Sequence, residues 1–179
     1  ELCYSLNGSL YGVWHDGEGV LGVSPEPIFY RKDDQYFTMA LAGTISTGID
    51  SFESKLMDDE KELIEHKYVI DDICEKLNQS ASEIEVGQTE IYNFGPIAHL
   101  RTLIQFRFDG ECKELLRQMA PTAALGGYPS LLSVDYLKKT KYFQFEKEKR
   151  NFGGVYGIDL PEVSFGLVGI RNIYWDETG

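Results

Sequence analysis

The stretch VLGVSPEPIFYRKDDQYFTMAL, residues 20–41, decides how the chain begins to fold. It contains three short runs rich in β-branched and aromatic residues: Val20 to Val23, Ile28 to Tyr30 and Tyr36 to Leu41. The prolines of Ser24-Pro25-Glu26-Pro27 split the first two runs, and Lys32-Asp33-Asp34 splits the next two. Proline cannot donate to a ladder and Asp favours turns, so this punctuation predicts an antiparallel meander. Upstream, Leu10 to Trp14 is followed by His15-Asp16-Gly17-Glu18-Gly19 and predicts one further strand of the same kind. A turn can be built without a charge, so the carboxylate of Glu26 is not explained by the turn alone.

Downstream the periodicity changes. From Ser51 to Asn78, Leu56, Leu63, Ile64, Tyr68, Val69, Ile73 and Leu77 recur at near-helical spacing with no Gly or Pro between them, which predicts one long helix. Ile97 to Phe108 fits either a strand or a helix. ECKELLRQMA (111–120) reads as a short helix, PTAALGGYPS (121–130) as a loop, and SLLSVDYLKKTKYF (130–143) as another helix. NFGGVYGIDLPEVSFGLVGIRNIYW (151–175) returns to glycine-punctuated strands. Strands, then helices, then strands without a linker or internal repeat predict a single α+β domain.

Composition narrows the function classes. A chain of 179 residues with 42% hydrophobic content is long enough for one sizeable core. Its net charge of −12 is spread along the chain with no Lys/Arg block, which argues against nucleic acid and anionic membranes as partners. Cys3, Cys74 and Cys112 are widely spaced and odd in number, without a CxxC or a signal-type segment, and are expected to be reduced thiols in the cytoplasm. No apolar run approaches the roughly 18 residues that a membrane span needs.

Several groups could carry chemistry. Glu62 and Glu65 are three residues apart, so a helix places both on one face with His66 beside them. Two such carboxylates can hold a hard divalent cation such as Mg²⁺, or simply form a solvated face. His99, taken alone, reads as a satisfied core or surface histidine before a catalytic one. Arg171 is expected on an otherwise apolar strand, where it could pair with a structural acid or grip a ligand carboxylate bidentately. Leu125-Gly126-Gly127 could offer main-chain N–H groups to an anion or form an ordinary turn.

The order of these segments is more specific than any one of them. SPEP, ALAGT (40–44), KELIEH (61–66), His99-Leu100, PTAALGGYP (121–129), FGGVYG (152–157) and Ile170-Arg171, taken in sequence, resemble the shared catalytic domain of the chorismate-utilising enzymes. These include isochorismate, salicylate and aminodeoxychorismate synthases and anthranilate synthase large subunits. The resemblance runs from about Gly22 to Arg171. It implies an antiparallel β-sandwich core wrapped by helices, with a Mg²⁺-dependent chorismate site between the layers, and residues 1–179 forming one partial chorismate-binding catalytic domain.

Carried over by motif, the resemblance implies that Glu26 is the general acid that protonates the departing C4 hydroxyl, which would explain its place in the turn. Glu65 matches a metal ligand and Glu62 a water-mediated partner. Ala42, Gly43 and Thr44 match the segment lining the substrate, and His99 a histidine near the C4 hydroxyl. Arg171 matches the arginine that binds the enolpyruvyl carboxylate. Gly153 and Gly154 match glycines of a strand that approaches the substrate closely.

Ala42 stands where aminodeoxychorismate-forming members carry a lysine, and PTAALGGYP is closest to isochorismate synthases of menaquinone or siderophore biosynthesis. The expected function is therefore Mg²⁺-dependent isomerisation of chorismate to isochorismate. The alternatives are anthranilate or salicylate synthase chemistry, the former with a glutamine amidotransferase partner, or a non-catalytic remnant serving as a binding module. The family's water-activating lysine, second metal-binding glutamate and carboxylate-gripping lysine match no residue here, so the chain is expected to be the central part of such a domain. A sandwich lacking strands at both ends has unpaired edges, and self-association through them is expected.

Overall fold

The computed structural model describes residues 8–140 and 153–177. Strand β1 (Ser9–His15) turns at Asp16-Gly17 into β2 (Glu18–Ser24). Both turn residues have positive φ, 46° and 86°, as a two-residue hairpin matched to strand twist requires. β3 (Pro27–Lys32) turns at Asp33, φ 56°, into the twelve-residue β4 (Gln35–Ser46). The strands read from residues 20–41 are thus present, but not as one meander: β1–β2 and β3–β4 are antiparallel hairpins in different sheets, and the proline-flanked connection at Glu26 carries the chain from one sheet to the other.

Residues 51–78 form two helices, α1 (Phe52–Met57) and α2 (Glu60–Leu77), where the spacing predicted one. The break has a local cause. Asp59 adopts extended backbone and its side chain accepts from the main-chain N–H of Lys61 and Glu62, a cap that starts a new helix. Residues 97–108, ambiguous between strand and helix, hold β6 (Ile97–Arg107), whose alternate residues Ala98, Leu100, Thr102, Ile104 and Phe106 are buried. Its partner β5 (Ser82–Phe94) had no legible signal, because it is mostly exposed and polar.

Next come α3 (Cys112–Met119), the single-turn α4 (Ala123–Gly126) and α5 (Ser130–Lys139). The segment read as a loop therefore contains α4, while residues 141–143 of the predicted last helix lie outside the described residues. β7 (Val155–Asp159), β8 (Val163–Val168) and β9 (Asn172–Trp175) are the glycine-punctuated strands. Cys74 and Cys112 are free thiols, and Cys3 lies outside the described residues. Among the described residues no helix is long and apolar enough to cross a membrane.

The strands form two antiparallel sheets, ordered β1-β2-β9 and β5-β6-β4-β3-β8-β7. Tyr36 and Ala40 of β4, with Ile104 and Phe106 of β6, pack against Ile73 and Leu77 of α2 and Leu115 and Met119 of α3. A smaller cluster joins the two sheets, with Tyr11 and Val20 of the short one packed on Leu167 of β8. Successive strand residues face opposite sides, and Val168, next to Leu167, belongs to the helix-side core. β8 therefore lies between two layers, with helices on one face and the second sheet on the other.

Phe106 is fully buried at the centre of the larger core, in ring contact with Tyr36. Phe106→Ala should cost about 3–5 kcal/mol in urea unfolding, as large aromatic truncations in closed cores do; a loss below about 1 kcal/mol would contradict this packing.

Candidate active site

Glu26 sits in the connection from β2 to β3, held through its main chain on both sides. Its N–H donates to the Ser24 hydroxyl (3.3 Å), and its carbonyl accepts from the N–H of Val168 (3.1 Å). Pro25 and Pro27 remove backbone freedom around it. The side chain lines a cavity of about 30 Å³ with Thr38, Leu41, Val69, Asp72 and Thr122, room for about two water molecules. Burial pushes the Glu26 carboxyl above the usual carboxylate range, and the neighbouring Thr122 hydroxyl offsets part of that rise. A carboxyl that keeps its proton to higher pH is suited to act as an acid.

A second cluster forms further along β4. The β4–β6 register slips between Ala42 and Thr44, and Gly43 takes φ 73° at this bulge. A Cβ at Gly43 would also lie 3.1 Å from the Leu100 side chain and 3.3 Å from the Glu62 Cβ, so glycine is required twice over. The bulge turns main-chain groups outward. Thr44 N–H donates to Glu62 Oε2 (2.8 Å), and the Gly43 carbonyl faces His99 Nδ1 (3.1 Å), which also contacts Thr44 Oγ1 (2.9 Å). A carbonyl can only accept, so neutral His99 carries its proton on Nδ1 and leaves Nε2 as an acceptor. Leu41 borders the Glu26 cavity and Thr44 borders His99. Three strand residues span about 10 Å, so the two clusters are neighbours along one strand.

Glu62 and Glu65 do share a helix face. Lys61 Nζ donates to Glu62 Oε1 (2.7 Å) and lies 2.9 Å from Glu65 Oε1. The lysine and the Thr44 N–H hold the Glu62 carboxyl below its ordinary range. Glu62 is 17% exposed and Glu65 51%, so the second carboxylate faces solvent. A single ammonium already draws these two oxygens together, and two carboxylates are a donor set that Mg²⁺ uses while keeping waters or substrate oxygens. The residues present fit that ion, although among the described residues no three His, Cys, Asp or Glu side chains converge. His66 is not on this face: it is buried beneath it, with Nε2 against Thr102 Oγ1 (2.8 Å), and burial lowers its pKa.

Gly153, Gly154 and Arg171 lie near the end of β8. Gly169 N–H donates to the Gly154 carbonyl and Gly153 N–H to the Gly169 carbonyl, both at 2.7 Å. Gly153 and Gly154 precede β7 instead of lying within it. Gly153 needs its positive φ of 76°, whereas a Cβ at Gly154 would meet nothing within 4 Å. Arg171 is also not on a strand. It occupies the turn between β8 and β9 with φ 53°, its carbonyl bonded to Val23 N–H and its side chain exposed. Ala42 is half-buried opposite Leu100. Thr122, Asp72 and Lys76 went unnoticed in the sequence, although the i,i+4 spacing of Asp72 and Lys76 was an available signal.

Residues 7–158 match the family described as chorismate binding enzyme. Isochorismate synthase MenF of Pasteurella multocida is 30% identical over 164 residues, 88% of this chain and 37% of that protein. MenF of Escherichia coli is 31% identical over 149 residues, 79% of this chain and 35% of that protein. Among solved structures, the menaquinone-specific isochorismate synthase MenF of Escherichia coli superposes with a TM-score of 0.82 at 25% identity, covering 97% of this chain and 42% of the other. Anthranilate synthase component I of Streptococcus pneumoniae shares the fold, with a TM-score of 0.78 at 20% identity, covering 97% and 40%. The chain spans little more than a third of the length of these curated relatives.

Because folding raises the Glu26 pKa above its unfolded value of 4.5, wild-type stability falls as pH rises through the folded pKa. Glu26→Gln removes the cost of burying the charged form. Its urea midpoint should exceed that of wild type at pH 7, with the gap closing towards pH 4; an equal or lower midpoint at pH 7 would refute the burial argument.

Proposed function

The chain belongs to the chorismate binding enzyme family, and on that premise we propose that it carries the general-acid half of a site isomerising chorismate to isochorismate. The observation that carries this reading is Glu26: a carboxyl clamped in a proline-flanked turn, facing a cavity, with its acidity weakened by burial. In the reaction, Glu26 gives its proton to the C4 hydroxyl, which departs as water while another water adds at C2 and loses a proton to a base. Loss of one water and gain of another leave the composition unchanged, as an isomerisation requires. A positioned acid of this kind contributes about 10²–10⁴-fold to rate.

His99, with Nε2 left as an acceptor, takes the place beside the C4 hydroxyl. Arg171, exposed in its turn, grips the enolpyruvyl carboxylate, and guanidinium geometry suits two parallel bonds to it. The bulge residues Gly43 and Thr44, with Ala42 before them, line the substrate, as do Gly153 and Gly154. Among the described residues nothing lies within 4 Å of a Cβ at Gly154, which suits a ligand at that place. Glu65, with Glu62 behind it, would hold Mg²⁺, which when bound draws in the ring carboxylate and offsets repulsion from an acidic protein. Lys61 would have to withdraw, and a solvent-exposed pair of this kind is worth only about 0–1 kcal/mol.

Ala42 has no amine, so the covalent route to aminodeoxychorismate is not available at that position. Among the described residues, strands β1, β9, β5 and β7 lie at the sheet edges, and edge pairing between copies would make the isolated chain self-associate; light scattering should then find species above monomer mass.

Incubation of the protein expressed from its complete gene with chorismate and Mg²⁺ should give isochorismate by chromatography, and chelator should abolish it. Glu26→Gln should lower turnover by about 10²–10⁴-fold with the fold intact by circular dichroism. Anthranilate or salicylate as product would transfer the chain to another chemistry on the same fold, and no product at all would favour the binding-module reading.

A further inference from the structure

Behind Glu26 lies an ion pair that the chemistry above does not use. Asp72 and Lys76 lie one turn apart on α2 and are 2% and 7% exposed. Lys76 Nζ donates to Asp72 Oδ2 (2.7 Å), to the Pro121 carbonyl (2.5 Å) and to the Met119 carbonyl (3.4 Å), which uses all three of its N–H bonds. The main-chain N–H of Ala123 faces Asp72 and favours its charged form. Lys76 therefore holds the chain just before Thr122, through the carbonyl of residue 121, and Asp72 faces the N–H of residue 123 just after it. Stability alone does not call for such an arrangement, since apolar residues of similar volume replace buried ion pairs without loss in many proteins.

Thr122 is what the grip presents. It lines the same cavity as Glu26 and Asp72, and its Oγ1 is buried with no hydrogen-bond partner among the described residues. A buried hydroxyl without a partner is costly, and a small movement of the side chain would bring it into bonding geometry with the neighbouring Glu26 carboxyl, whose charged form it favours. Asp72 is the other titratable group lining that cavity, Lys76 holds it, and the remaining lining side chains carry no charge.

We propose that Asp72 and Lys76 are positioning residues for Glu26: they fix the main chain around Thr122 so that its hydroxyl donates to one Glu26 oxygen and leaves the other to face the substrate. This rests on the reading of Glu26 as the general acid. Thr122 offsets part of the burial-driven rise at Glu26, so losing its hydroxyl raises the pH at which Glu26 gives up its proton. Losing the grip has the same effect, because it acts through that hydroxyl.

The test titrates Glu26 by ¹³C NMR of its carboxyl in this chain, where no turnover is needed. Thr122→Val and the paired change Asp72→Asn with Lys76→Met, which removes both charges and leaves the net charge unaltered, should each move the Glu26 midpoint upward. Combining all three changes should move it no further than Thr122→Val alone, and Thr122→Ser should titrate like wild type. A paired variant that titrates like wild type, or shifts that add, would overturn the proposal. If the paired variant does not fold, Lys76→Arg, which keeps the charge but not the reach to both carbonyls, is read by the same criterion. In the complete protein with chorismate, Thr122→Val should lower kcat by about tenfold with little change in KM and move the basic limb of the pH profile upward. NMR shifts without any turnover would leave the positioning role standing and remove the catalytic reading, whereas turnover without shifts would do the reverse.

Discussion

The pairing of β4 with β6, interrupted once at Gly43, is the constraint on which the rest of the candidate site depends. On its buried side it presents Tyr36, Thr38 and Ala40 to the helices, and this packing fixes where α2 runs. α2 in turn carries Glu62 and Glu65 on one stretch and Asp72 and Lys76 on the next. Without the bulge, the strand would keep its main-chain groups within the ladder. With it, the Gly43 carbonyl orients His99 and the Thr44 N–H anchors Glu62, so one irregular residue couples strand, helix and histidine.

Segments governed by local rules were legible in the sequence. Proline and aspartate marked the ends of β2 and β3, and alternation of buried residues is clear along β4 once the period of two is known. What escaped depended on partners distant in sequence. β5 has few apolar residues because it lies at the edge of the large sheet with much of its length exposed, so it exists by pairing with β6 and not by its own pattern. The Asp59 cap that divides the long helix could have been read, since Asp-Glu-Lys-Glu is a typical N-terminal sequence, but continuous apolar spacing concealed it. Within the candidate site, Glu26, Glu65, His99 and Arg171 were singled out by resemblance to a motif order, not by spacing. Thr122 lies within PTAALGGYP, but nothing local marked its own role, because that role depends on Lys76, forty-five residues earlier than the Pro121 carbonyl it grips.

Burial has opposite consequences at the acids of this protein. Glu26 and Asp72 share a cavity and both are pushed towards the protonated form by loss of solvent. Asp72 has an ammonium beside it and a main-chain N–H in front of it, and these work against the shift. Glu26 has only the Thr122 hydroxyl. Two carboxyl groups in one apolar pocket are thereby separated in role, one tied into a structural pair and the other left with a proton to give. Glu62 lies at the other extreme, partly exposed and stabilised as an anion by Lys61 and Thr44, which is the state a cation site needs.

The fold is shared by an isochorismate synthase and an anthranilate synthase component at TM-scores of 0.82 and 0.78, so the architecture cannot select the product. Selection has to come from side chains placed on a common frame. On the proposed reading, the frame would supply a proton for the leaving hydroxyl, carboxylates to hold a cation, and an arginine for the side-chain carboxylate. Differences between reactions then fall on what attacks the ring and from where. Ala42 is informative on this point because it lies next to the bulge, where a longer side chain bearing an amine would stand beside Gly43 and Thr44. With a methyl group there, the attacking group has to come from elsewhere, either water or a delivered nucleophile. Water is the simpler case, since it requires only a base and space.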